Sequence, residues 1–247
     1  MIDILLTRFR QRRRTIKWPG KPAPELSDRY RGRPALSPDA AAAAKAAAVC
    51  PTAAFSAAGG LDMGRCLFCG RCAAAAPEAV RFTGDFRLAA ARRDDLKLNC
   101  ASLPEPAAAL DREAKRLFGR SLKLRQVSAG GCNACEADVN VLNTVVFDLG
   151  RFGVQFVASP RHADGVLITG PVSENMREAL LATWEATPSP KLAIAVGACA
   201  ISGGPYAGHP ETHDGAGAFV PIDLYVPGCP PHPLTILDGI LRLLGKL

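Results

Sequence analysis

Nine cysteines in a chain of 247 residues constrain this sequence more than any other feature, because eight of them fall into two sets of four. In Gly130-Gly131-Cys132-Asn133-Ala134-Cys135-Glu136 two thiols three residues apart leave a glycine-opened turn and can grip one metal centre from a single loop. Two later cysteines, in Gly197-Ala198-Cys199 and Pro227-Gly228-Cys229-Pro230-Pro231, each stand in a glycine or proline turn just after an apolar, strand-like run. Four thiolates are the usual complement of a cubane iron–sulfur cluster.

The second set lies upstream. Cys66-Leu67-Phe68-Cys69-Gly70-Arg71-Cys72 and the earlier Cys50-Pro51 follow the bacterial ferredoxin pattern C-x2-C-x2-C-x3-C-P, written twice but incompletely. In two-cluster domains the fourth cysteine of each run serves the other run's cluster. Counting back from Cys50 by ten, seven and four residues gives Ala40, Ala43 and Ala46, and the fourth position of the second run is Ala76. One complete ligand set is therefore alanine, while Cys50, Cys66, Cys69 and Cys72 remain as a full set for the other cluster. Zinc also binds paired CxxC motifs, but three cysteines on one short turn with a distant Cys-Pro suit a cubane better. The emptied site predicts a regular helix over Asp39 to Val49, collapsed against Ala73 to Val80. Cys100 has no partner set and reads as a plain buried or interface cysteine.

No apolar run approaches the roughly 20 residues that span a bilayer, and the early arginines lack a following apolar segment. A cytoplasmic address is expected, where thiols serve metals rather than disulfides. The net charge of +7 is confined to one end: Met1 to Arg33 carries ten Arg and Lys against three Asp and Glu, so the remainder is neutral. Within that tail Ile2, Ile4, Leu5, Leu6 and Phe9 precede Arg10, Arg12, Arg13 and Arg14, as in a membrane-surface helix, a segment docking on a membrane subunit or, more plainly, a solvated disordered arm. No recognised nucleic-acid motif accompanies the charge. Five prolines between Pro19 and Pro38 predict an extended connection.

Pro104 to Pro106 marks a boundary, followed by an expected helix from Ala107 to Phe118. Beyond it strands and helices alternate. Strands are expected at Leu122–Val127, Val154–Ala158, Gly165–Thr169, Leu192–Val196 and Ile222–Val226; helices at Ala137–Leu149, Glu174–Ala186 and Leu234–Leu244. Strands without polar alternation belong to a sheet covered on both faces, so the fold class expected is α/β, a flavodoxin-like doubly wound parallel sheet, preceded by a small α+β ferredoxin-like domain. Ligands of such sheets sit beyond the carboxyl ends of the strands, where Cys132, Cys135, Cys199 and Cys229 converge.

These motifs, together with Arg151-Phe152-Gly153, Ser159-Pro160-Arg161-His162-Ala163-Asp164 and Gly197-Ala198-Cys199-Ala200-Ile201-Ser202-Gly203-Gly204, resemble the small-subunit family shared by membrane-bound NiFe hydrogenases of the formate hydrogenlyase type and the 20 kDa subunit of respiratory complex I. The N-terminal half resembles the ferredoxin-like subunit of the same complexes, so the chain reads as a fusion of neighbours: a basic tail and linker over 1–33, a ferredoxin-like domain over 34–103 and a small-subunit domain over 104–247. Complex I proteins of this family usually carry adjacent cysteines at the first ligand position, so the Cys132-x-x-Cys135 spacing favours the hydrogenase branch. The resemblance implies two 4Fe-4S clusters, one held by Cys50, Cys66, Cys69 and Cys72 and one by Cys132, Cys135, Cys199 and Cys229. It also implies an oxidoreductase subunit that relays electrons to a separate hydrogenase-like large subunit. A membrane subunit and another electron-transfer subunit are expected as partners, with peripheral attachment at the inner face of the cytoplasmic membrane. Delivery to quinone, as in complex I, is the alternative; a non-catalytic zinc-binding or assembly module is the alternative of another class. Glu136 either favours the positive end of the helix it opens or, as the resemblance implies, passes protons to the catalytic subunit. Arg161 is expected near the cluster and His162 in the turn, and His209, His213 and His232 receive no role.

Overall fold

The computed structural model describes residues 2–12, 14–20, 22–100 and 116–247. Helix α1 (Ile2–Gln11) opens the chain, and the described residues of the proline-rich stretch after it form no helix or strand before β1 (Pro34–Leu36), turning at residues 18–20 and 28–29. Next comes α2 (Ala40–Ala48), started by Asp39, whose carboxylate accepts the Ala42 N–H at 3.0 Å. Such a cap satisfies an orphan donor, and the alanine run behind it propagates the helix with little entropic cost. The rest of the N-terminal half is sparse: β2 (Leu61–Asp62), α3 (Arg71–Ala75), β3 (Val80–Phe82) and β4 (Lys97–Leu98). Strand β1 pairs antiparallel with β3, and β2 with β4.

The expected collapse of the alanine site is what the structure shows. Ala43, Ala46 and Ala76 are fully buried in one apolar cluster with Ala79 and Val80, and α2 packs on α3. Only Ala40, in the first turn of α2, is exposed.

The C-terminal half is one parallel sheet of β5 (Leu122–Ser128), β6 (Val154–Phe156), β7 (Gly165–Thr169), β8 (Leu192–Val196) and β9 (Leu224–Val226), in the spatial order β6-β5-β7-β8-β9. Counted from one to five along the sequence this is the order 2-1-3-4-5 of the flavodoxin-like fold. Every residue of β7 and β8 is buried, which requires cover on both faces. On one face α4 (Ala134–Val141) and, near the chain end, α7 (Pro233–Leu243) pack Val139, Leu237 and Leu241 against Leu167, Ile194 and Val226. On the other, α5 (Glu174–Ala186) lays Leu180, Met176 and Trp184 over Val166, Ile168 and Ala193. Between β8 and β9 lies α6 (Ala198–Ser202).

The helix expected over Ala137–Leu149 begins earlier and ends at Val141. Thr144 donates its hydroxyl to the Val141 carbonyl at 2.7 Å, and Asp148 takes a left-handed conformation (φ 50), so the chain turns away and leaves Val146 exposed. Pro104 to Pro106 and most of Ala107–Phe118 lie outside the described residues; residues 116–118 are helical.

The two halves share a core. Ala90 and Tyr225 exchange both backbone hydrogen bonds, at 3.0 and 2.8 Å, which adds the segment before β4 to the β9 edge. Phe86 and Ala89 belong to the same apolar cluster as α7, and Ala200 and Ile201 of α6 belong to that of the N-terminal half.

Candidate metal centres

Strand β5 ends at Ser128, and the turn that follows needs Gly130 at φ +84, where a side chain would meet Ser173 Oγ at 2.5 Å. The turn delivers Cys132 to the surface and Cys135 onto the first turn of α4. Cys199 sits in α6 directly after β8 and is buried; Cys229 follows β9 and is exposed. All four therefore stand beyond carboxyl ends of neighbouring strands. Burial pushes the Cys135 thiol far up, and the neighbouring Cys199, Glu136, Cys229 and Cys132 push it further. Burial raises Cys199 to about 12, again with Cys229 and Cys132 near enough to add to the shift. Thiols set this close together are ones that a bound cation would deprotonate.

Two glycines leave space beside the cysteine sulfurs. Gly197 has φ +93, and a Cβ there would lie 2.5 Å from Cys135 Sγ; one at Gly204 would lie 3.0 Å from Cys199 Sγ. A glycine at such a position lets the backbone approach a neighbouring group closely.

In the N-terminal half Cys50, Cys66, Cys69 and Cys72 line one small cavity with Pro51, Phe55, Leu61 and Phe82. Burial pushes Cys66 up to about 12, opposed by the Phe68 N–H, which donates to its sulfur at 3.3 Å, and reinforced by Cys72, Cys50 and Cys69. Burial likewise raises Cys72. The donors are sulfur only and the shell is apolar, which suits a soft metal centre. Among the described residues no three of His, Cys, Asp and Glu close around a position for a single ion.

The two sets are neighbours. Cys69 is near enough to Cys229 to raise its thiol, after burial and Cys132. Ser202, in the helix that carries Cys199, donates its hydroxyl to the Gly64 carbonyl at 2.9 Å, two residues before Cys66. A cavity of about 290 Å³ between the halves is lined by Leu67 and Phe68 from one cysteine loop and by Gly228, Cys229 and Pro230 from the other.

Glu136 is 5% exposed, and its Oε1 accepts hydroxyl hydrogen bonds from Ser128 at 2.7 Å and Thr169 at 2.6 Å. Burial works to raise its pKa, but the two hydroxyls outweigh it and hold the group below the ordinary carboxylate value. Neither Ser128 nor Thr169 is legible as a partner in the sequence, since they sit on two different strands. Arg161 and His162 are exposed on a short 3-10 turn. Cys100 is exposed, which removes the buried reading and leaves the interface one, with its thiol 3.9 Å from the Gly59 carbonyl. His213 pairs with Glu174 at 2.8 Å, and His232 caps α7 by accepting the Leu234 N–H at 3.1 Å.

Residues 132–243 match the family described as NADH ubiquinone oxidoreductase, 20 Kd subunit. A probable membrane-bound hydrogenase subunit of Pyrococcus furiosus is 42% identical over 53% of this chain and 79% of its own length. Formate hydrogenlyase subunit 7 of Escherichia coli is 39% identical over 59% of this chain, and the match spans 57% of that protein. An NADH-quinone oxidoreductase subunit of Heliobacterium modesticaldum is 39% identical over 48% of this chain and 69% of its own length.

Proposed function

Because the chain belongs to the family of the 20 Kd subunit of NADH ubiquinone oxidoreductase, and so is an electron-transfer subunit of an oxidoreductase complex, we propose that it serves a membrane-associated hydrogenase of the formate hydrogenlyase type. In this reading Cys50, Cys66, Cys69 and Cys72 hold a distal 4Fe-4S cluster, and Cys132, Cys135, Cys199 and Cys229 hold the proximal one. Bound there, the two clusters supply one-electron carriers leading to a catalytic large subunit on another chain. The observation that carries the reading is the joining of the two cysteine loops, which line one cavity through Leu67, Phe68 and Cys229 and are tied by the Ser202–Gly64 hydrogen bond at 2.9 Å, since a relay needs its two sites close. The chain's own residues supply the rest. Phe55, Leu61 and Phe82 exclude water from the distal site, and the Phe68 N–H on Cys66 sulfur favours the more negative state. Gly197 and Gly204 make room at the proximal one.

Glu136 ties β5, β7 and α4 together through Ser128 and Thr169, and we assign it the positioning of the Cys132–Cys135 turn. Passing protons would require it to be protonated against the hydroxyls that hold it ionised. The hydrogenase branch is preferred to quinone delivery on the Cys132-x-x-Cys135 spacing.

Metal and acid-labile sulfide analysis of the reconstituted protein, with low-temperature electron paramagnetic resonance, tests the cofactor part. About eight iron and eight sulfide per chain are expected from two cubanes. About four iron, about twelve, or a colourless zinc protein would overturn it.

A further inference from the structure

Helix α1 has no buried residue. Ile2, Leu5, Leu6 and Phe9 follow the i, i+3, i+4, i+7 spacing of a single helical stripe. All four are exposed, Phe9 to 83%. At about 100° per residue they fill an arc of roughly 100°, with Arg8 off one edge and Arg10 off the other. Exposed Arg12 and Arg14 follow. A ten-residue helix is marginal in water on its own, so this stripe asks for a surface to lie on.

Just beyond, the chain is fastened to the sheet-bearing half. Thr15 donates its hydroxyl to the Val145 carbonyl at 2.8 Å, and the Ile16 N–H donates to Val146 at 2.9 Å. Arg151 donates from Nη1 to the Ile16 carbonyl at 3.0 Å and from Nη2 to Trp18 at 2.6 Å, with its guanidinium 4.6 Å from the Phe152 ring centre. Val145 and Val146 are themselves exposed. Four residue steps separate Gln11 from Thr15, at most about 14 Å of chain, so the helix end cannot leave this corner.

We propose that α1 and the Val145–Val146 corner form one docking surface for the anionic headgroup layer of a phospholipid bilayer, and that Arg151 is the clamp fixing the cysteine-bearing body relative to it. Arginines on both edges of an apolar stripe are the arrangement in which the stripe sinks among acyl chains while the guanidiniums reach lipid phosphates. A groove on a protein partner would bury the stripe without needing cations on both sides. A nucleic acid would use the cations and leave the stripe in water. The charge supports the choice, with ten basic against three acidic residues up to Arg33. The inference goes beyond the electron-transfer reading and does not depend on it.

The test is vesicle flotation of the full, metal-loaded chain. Co-flotation with phosphatidylcholine vesicles containing phosphatidylglycerol is expected, with little on phosphatidylcholine alone and steep loss as salt is raised. Leu5→Glu with Phe9→Glu, and separately Arg8→Glu with Arg10→Glu, should each lower binding by about tenfold or more, with iron content and visible spectrum unchanged. Arg151→Ala should leave flotation in place but raise hydrogen exchange at residues 15–18. Equal binding to both vesicle types at all salts would overturn the anionic partner. Binding indifferent to Leu5→Glu and Phe9→Glu would overturn the role of α1. Absence from every vesicle would overturn the lipid assignment in favour of a protein partner. Unchanged exchange in Arg151→Ala would overturn the clamp.

Discussion

The two cysteine sets are built on unlike foundations. Cys132, Cys135, Cys199 and Cys229 hang from the carboxyl ends of a five-stranded sheet whose apolar clusters are made of Leu, Ile and Val from β5, β7, β8 and the helices over them. In the N-terminal half the strands are two or three residues long, and Cys66 and Cys72 are themselves members of the buried cluster. On the proposed reading, a metal centre would in the first case be a guest at the mouth of a finished sheet; in the second the cysteines are part of the buried cluster that holds the shell together. The largest expected effect follows from this. Metal-free protein should lose hydrogen-exchange protection around Leu61–Cys72 while β7 and β8 stay protected. Equal loss in both halves would break the comparison, and would mean that the shared seam at Ala90–Tyr225 couples them fully.

The mirror-image perturbation removes the guest and leaves the host. Gly197→Ala puts a methyl group 2.5 Å from Cys135 Sγ at a backbone geometry, φ +93 and ψ 155, that is essentially reserved for glycine. It should cost the proximal centre, about half the iron, with the sheet still folded by circular dichroism. Gly204→Ala, with a gap of 3.0 Å at φ +54, should be milder. Full iron content in Gly197→Ala would show that the sheet mouth adjusts more readily than its packing suggests.

What the sequence discloses follows the same division. β7, β8 and α5 are legible to the residue because unbroken apolar or helical runs end in clear punctuation. The end of α4 is not, since apolar periodicity runs on through Val146 and Leu149 while Thr144 turns back on Val141. The grouping of Cys50 with Cys66, Cys69 and Cys72 around one cavity is legible by spacing. The cavity shared by the two cysteine loops, the seam from Phe86 to Ala90, and the hydroxyls of Ser128 and Thr169 on Glu136 are not, because each joins segments far apart in the chain. Of the two readings of Cys100, buried or at an interface, its exposure removes the first, and nothing local in the sequence marks which loop faces water.

The alanine site sharpens the contrast further. Ala43, Ala46 and Ala76 are closed over by packing, so Cys at positions 40, 43, 46 and 76 should add no second cluster in that half. Three of the four new sulfurs enter a filled core, and each overpacked site costs roughly 1–3 kcal/mol. Lower thermal stability with unchanged iron is expected. A gain of about four iron and a new paramagnetic signal would show that a pocket opens on demand.

The smallest effect is electrostatic and lies at the seam between the halves. Asp85 accepts from Arg87 Nε at 2.7 Å and Nη2 at 3.0 Å, and its backbone carbonyl accepts the Arg33 N–H at 2.8 Å. Burial works to raise the Asp85 pKa, but hydrogen bonds from the Arg87 side chain and backbone, with the Arg33 charge, outweigh it and hold the carboxyl below its ordinary value. A carboxyl depressed in the folded state adds stability that is complete above the ordinary value, about pH 4, and is lost as pH falls through the folded value. Arg87 is half exposed, so the contribution is no more than about 1 kcal/mol. Asp85→Asn should therefore lower stability slightly at neutral pH and flatten the decline below about pH 4. The adjoining Phe86, buried against α7 and edge-on to Trp18 at 4.9 Å, should matter more: Phe86→Ala removes a buried ring at about 3–5 kcal/mol and shows no such pH dependence. If Asp85→Asn proves the worse of the two, the halves are joined by charge rather than by a shared core.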